Sequence, residues 1–156
     1  MKIRTDYITN SSSSSFILGF TNEDNIYDEL ISGFPKWAEN YFFTVNRDVQ
    51  SEKRLNKDDV IAKARKELRW NAEWYVRDRY QRNHRCSYRE AWDYIETDDG
   101  KSEVEAEIER NINNIIEDMS GKSVFVEVEY DDHGDGELEH EIMPKVKSTI
   151  VRFSHH

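Results

Sequence analysis

The chain is poor in the residues that cross-link or interrupt a small extracellular domain. Its 156 residues include one cysteine, two prolines and six glycines. A lone Cys86 excludes an intrachain disulfide, and secreted domains of this size commonly depend on several, so a reducing compartment is expected. So few Gly and Pro exclude collagen-like and low-complexity chains. Long apolar runs are missing too. No stretch approaches the roughly 20 residues that cross a bilayer, and the opening Met1-Lys2-Ile3-Arg4-Thr5-Asp6 lacks the apolar core of a secretory signal. These absences point to a cytoplasmic protein with no membrane contact.

What is present is charge and aromatic surface. Charged residues make up 35% and hydrophobic residues 37%, and four Trp, eight Tyr and seven Phe supply much of the area a core needs. The length suits one domain, residues 1–156. The net charge of −10 is unevenly spread. From Arg47 to Glu90 there are 13 Lys/Arg against 8 Asp/Glu; from Asp93 to His140 there are 17 Asp/Glu against 3 Lys/Arg. A basic stretch is therefore followed by an acidic one.

Periodicity gives the element types. Phe16-Ile17-Leu18-Gly19-Phe20 is short, apolar and β-prone, which predicts a buried strand. Thr21 and Asp24 look like a helix start, with Ile26, Leu30 and Ile31 as its stripe and Gly33 to end it. Tyr41-Phe42-Phe43-Thr44-Val45 reads as a second strand. A helix is expected from Lys57 to about Gln81 behind an Asn56 cap, burying Ile61, Ala64, Leu68, Ala72, Tyr75 and Val76, with Trp70 and Trp74 on a flank. Ser87/Glu90 and Ser102/Glu105 have capping-box spacing and predict two further helices. The second runs to about Met119 on Val104, Ile108, Ile112 and Ile115, and Gly121 stops it. Val124 to Tyr130 alternates as a strand. Asp131 to Gly136 is a turn, Glu137 to Ile142 is a strand or a helical turn, and Thr149 to Phe153 is a last strand. The fold class is α+β: a small, mostly antiparallel sheet from the N- and C-terminal strands, packed against a helical middle of about four helices.

Thr5-Asp6-Tyr7-Ile8-Thr9-Asn10 followed by Ser11 to Ser15 and Phe16 resembles an N-terminal signature of small bacterial and mobile-element proteins. The match covers about 16 residues. It implies the origin of an accessory protein and carries no activity with it. Read on chemistry alone, the serine run is a loop, or a cradle of N–H and hydroxyl groups for an anion.

Two site hypotheses follow. In the first, the chain binds another protein through the acidic helix, with Glu103, Glu105, Glu107, Glu109, Glu117 and Asp118 imitating a phosphate backbone toward a basic nucleic-acid-binding partner. In the second, His133, His140, His155 and His156, interleaved with Asp and Glu, bind a transition metal such as zinc, and the protein is a metal-binding protein or a metal-dependent hydrolase. This requires the strands at 124–130 and 149–153 to be neighbours. Calcium is excluded, because an EF-hand loop begun at Asp131 puts His133 and Ile142 at ligand positions. Direct nucleic-acid binding by Lys63, Arg65, Lys66, Arg69, Arg77, Arg79, Arg82 and Arg85, interleaved with Trp70, Trp74, Tyr75 and Tyr80, is opposed by Glu67, Glu73, Asp78 and the net negative charge. His84 and Cys86 lack a third group to orient them. Phosphate loops, dinucleotide fingerprints, His-Glu-x-x-His and nucleophile elbows are absent from the sequence. The weight falls on a binding protein over an enzyme.

Overall fold

In the computed structural model, residues 13–134 and 136–155 are described; the serine-run signature up to Ser12, and His156, lie outside them. The architecture is α+β, with one antiparallel sheet and six α- or π-helical segments besides short 3-10 turns. Contacts divide the chain into two compact units, residues 1–60 with 119–156, and residues 61–118.

The first unit holds the sheet. Its strands are β1 (Ser13–Phe20), β2 (Arg54–Leu55), β3 (Val124–Asp131) and β4 (Thr149–His155), in the order β2-β3-β1-β4. β1 occupies the centre because it is the most apolar strand: seven of its eight residues are buried. The C-terminal strands are thus not neighbours. The serine strand lies between them, with Ser13 opposite Asp131 on one side and His155 on the other. Strand alternation puts Phe16, Leu18 and Phe20 on one face beside Val126 and Val128. Helices α1 (Ile26–Ser32) and α2 (Phe42–Ser51) cover that face with Ile26, Leu30, Phe42, Val45 and Val49.

The strand expected at 41–45 is therefore a helix. Phe34, Ala38, Phe42, Val45 and Val49 recur at helical spacing and all enter the core, which outweighs the β propensity of the Tyr-Phe-Phe-Thr-Val string. Glu137 to Ile142 resolves as a helical turn, a π turn at Leu138–Ile142 continued by a 3-10 turn at Met143–Lys145. Leu138 and Ile142, four apart, are both fully buried.

The helical remainder is α3 (Lys57–His84), α4 (Tyr88–Ile95) and α5 (Asp98–Asp118). Asn56 caps α3 reciprocally: its side chain accepts from the Asp59 N–H at 2.8 Å, and the Asp59 carboxylate accepts from the Asn56 N–H at 3.0 Å. Ser87 and Glu90 make the expected capping box on α4. The second expected box does not form. α5 starts five residues earlier, where the Thr97 hydroxyl accepts from the Gly100 N–H, so Ser102 is already inside the helix. Val104, Ile108, Ile112, Ile115 and Met119 are buried as the pattern required, and Gly121, at φ 79°, ends the run. On α3 the buried positions are Val60, Ala64, Ala72, Val76 and Arg77, while Tyr75 is exposed and Ile61 and Leu68 half-buried. No described helix is long and apolar enough to cross a membrane.

Candidate functional site

Three clusters of chemistry emerge, one in the first unit and two in the second. The first gathers at the serine end of the sheet. Ser14 shares the face of Phe16 and Leu18, so its side chain meets the turn that carries Leu138 and Ile142. Its hydroxyl donates to Glu139 Oε2 at 2.8 Å and accepts from Arg152 Nε at 3.1 Å. Glu139 is wholly buried, and its other oxygen is 3.2 Å from His140 Nε2; Arg152 Nη2 lies 3.7 Å from Oε2. On the opposite face Ser15 Oγ pairs with His155 Nε2 at 3.1 Å. Ser14 thus serves a carboxylate of its own chain.

This geometry redistributes the expected metal ligands. Among the described residues, the side chains that converge with ligand spacing are Asp132, Glu139 and His140, whose ligand atoms lie within 4.8 Å of one another. His133 is exposed in the turn, where its N–H donates to Asp131, and His155 is held at Ser15. Neither joins the group. One imidazole and two carboxylates are a chemically suitable set for a divalent cation, but Arg152 already supplies positive charge to Glu139.

The second cluster is the acidic helix itself. Four of its six singled-out carboxylates are matched within residues 61–118. Glu109 accepts from Arg65 at 2.5 Å and Glu105 from Arg69 at 2.6 Å; Glu103 pairs with Arg79 and Glu107 with Arg110. Glu117 and Asp118 stay exposed at the C-terminal end of α5, where the helix dipole disfavours negative charge. Arg65, Arg69 and Arg79 of the basic stretch thus meet three carboxylates of the acidic one in an ion-pair zipper between α3 and α5. Arg65, Arg69 and Arg79 are equally withdrawn from phosphate binding.

Glu103 also accepts a hydrogen bond from the Tyr94 hydroxyl. Ionising Tyr94 would give up that bond, and would also set two negative groups together, so its pKa is pushed up to about 12 from the ordinary 10.0. The folded value is the higher one, so this bond stabilises below pH 10 and its contribution is lost as pH rises through about 12. Alkaline titration followed by phenolate absorbance should show a transition near 12 that Tyr94→Phe removes and Glu103→Gln lowers. If Glu103→Gln leaves that transition in place, the assignment fails.

The third cluster was only half visible in the sequence. Trp70 and Trp74 stand four apart on α3, and Tyr88 and Trp92 four apart on α4. Folding brings both pairs together. The Trp70 and Trp92 rings are parallel within 7° at 6.4 Å, and Trp74 meets them edge-on at 5.2 and 6.2 Å. Into this group Arg77 extends its guanidinium, 3.8 Å from the Trp74 centroid, 4.7 Å from Tyr88 and 5.3 Å from Trp92. Trp70 is 55% exposed and Tyr88 54%, whereas Arg77 is 3% exposed. Two aromatic pairs at helical spacing on successive helices were the available signal. Separately, in the first unit, Ile31, Phe34, Phe42 and Phe43 line an open cleft of about 670 Å³ together with Lys36 and Glu39.

Comparison of the chain with protein-family models, with curated proteins and with solved structures finds no match.

Proposed function

We propose that this protein is a cytoplasmic accessory module that acts by docking another protein, and that its contact is the Trp70–Trp74–Tyr88 face. The exposed aromatic group built around Arg77 is the observation that carries this reading. The zipper between α3 and α5 supports it by elimination. Carboxylates already bound to arginines present a weak field beyond roughly 8–10 Å of salt solution, so the acidic helix is a poor imitation of a phosphate backbone. Tryptophan, tyrosine and arginine, by contrast, are the residues over-represented where truncation most weakens a protein complex. Already about half buried, Trp70 and Tyr88 each still offer on the order of 100 Å² of burial on association. The accessory role implied by the N-terminal signature, and the single half-buried Cys86, agree with this placement. The metal-dependent alternative has less support, since two of the four histidines stand outside the one ligand group and Arg152 competes for it.

The test compares variants as baits under cross-linking, with the captured partner quantified. Trp70→Ala and Tyr88→Ala should each weaken capture by about 10–30-fold, the range of an interface anchor. Glu105→Gln and Glu109→Gln should change it by no more than about twofold, as exposed ion pairs do. The reverse pattern would return the contact to the acidic helix.

A further inference from the structure

Resting on that reading of the tryptophan face, we infer that the partner presents a carboxylate beside an apolar anchor, and that Arg77 is the group that receives it. Arg77 differs from the other arginines of residues 61–118 described above. Arg65, Arg69 and Arg79 reach acidic residues on α5, and Arg110 bonds Glu107 on its own helix. Arg77 instead lies under aromatic rings, its Nη2 bonded to Asp78 at 2.5 Å, while its buried Nε meets no acceptor among the described residues. An unmatched donor on a buried cation is destabilising unless something completes it. Asp78 already holds Nη2, so what this guanidinium still takes is an acceptor oxygen at Nε, and a charged acceptor bonds a cation more strongly than a neutral one.

The surroundings select the ligand. An aromatic box commonly takes a cation, but here the chain's own guanidinium occupies the faces of Trp74, Tyr88 and Trp92, so an incoming ammonium would be repelled. An acceptor oxygen is what the group lacks. Tyr88 is the first residue of α4 and half exposed, so its ring is the wall a ligand can displace without disturbing the core. Trp70, the most exposed of the three rings on this face, then offers the apolar seat beside the carboxylate. A polyphosphate also carries acceptor oxygens, but it brings no apolar group for the Trp70 ring, and its several charges meet more repulsion from the net −10 than a single carboxylate does. An acidic side chain on a protein segment is the occupant that meets both demands.

The experiment uses the full chain as target for a random linear peptide library displayed on phage, counter-selected on Trp70→Ala/Tyr88→Ala. Peptides retained by the wild-type chain and lost on the variant should carry Asp or Glu next to Trp, Phe or Leu. Replacing that acid by Asn or Gln in a synthetic peptide should weaken binding about tenfold or more, read by tryptophan fluorescence on the unaltered protein. Arg77→Lys, which keeps the charge and removes Nε, should weaken the acidic peptides equally. Patch-dependent peptides without enriched acids, or with Lys and Arg instead, would overturn this inference and leave the docking face standing. Competition by a single-stranded oligonucleotide as strong as by the acidic peptides would overturn it too. No patch-dependent peptide at all would overturn both.

Discussion

Gly100→Ala is expected to destabilise the protein by about 2–3 kcal/mol, at the upper end of what overpacking commonly costs. Helix propensity alone argues the opposite sign, since alanine is favoured over glycine in a helix by about 1 kcal/mol. The tertiary contact decides. A Cβ on residue 100 would lie 2.0 Å from the Tyr94 carbonyl oxygen, 2.8 Å from its carbon and 2.9 Å from Ile95 Cα. All three are backbone atoms, so no side chain can swing aside, and α4 must separate from the start of α5. Urea denaturation should show a lower midpoint at an unchanged slope. A midpoint at or above that of the wild type would mean that the α4–α5 turn is looser than described. Because Tyr94 and Glu103 flank that junction, the high-pH tyrosine transition should also move toward its ordinary value in this variant.

Ser14→Ala should cost about 1.5–3 kcal/mol, the range for a hydrogen bond to a charged group. Glu139 is fully enclosed, and Ser14 is the donor that links it to the central strand. Arg152, 3.7 Å from the same Glu139 oxygen, is too far to take over that 2.8 Å bond. Removing both polar partners should be gentler than removing one. Ser14→Val with Glu139→Leu is expected to lose less than the two single changes summed, because both ends of the 2.8 Å bond go together and Arg152, whose side chain is 32% exposed, can turn to water. Strict additivity across that double-mutant cycle would show that the two side chains do not depend on each other. The same cycle tests the role of the serine run, since it treats Ser14 as structural support for an internal carboxylate and not as a binding loop.

Elements with a strong repeat were legible in the residues. The stripe from Val104 to Met119, the cap at Asn56, the box at Ser87 and Glu90, and the strands at 124–130 and 149–153 all appear with the expected type. Each depends on neighbours within a few positions, where spacing maps directly onto one face of a helix or strand. Two element readings that failed are instructive. At 41–45 the β-prone composition was real, but the positions that needed burial were three and four apart. At Ser102 the spacing for a capping box was present, yet Thr97 captured the helix start first and Glu105 turned to Arg69.

The candidate sites were far less legible. Composition showed a basic stretch and an acidic stretch, but not that Arg65, Arg69 and Arg79 would meet Glu109, Glu105 and Glu103. It showed histidines near the end, but not that a central serine strand would come between the two C-terminal strands and leave His133 and His155 apart from His140. The amino-acid order sets local periodicity, caps and total charge, because these follow from chain geometry over one or two turns. Which charges cancel and which serine reaches Glu139 depend on elements dozens of residues apart, and which rings gather around Arg77 depends on how α4 turns back on α3. Those pairings are chosen by the burial of apolar faces, and the polar groups take whatever partners that burial brings within reach.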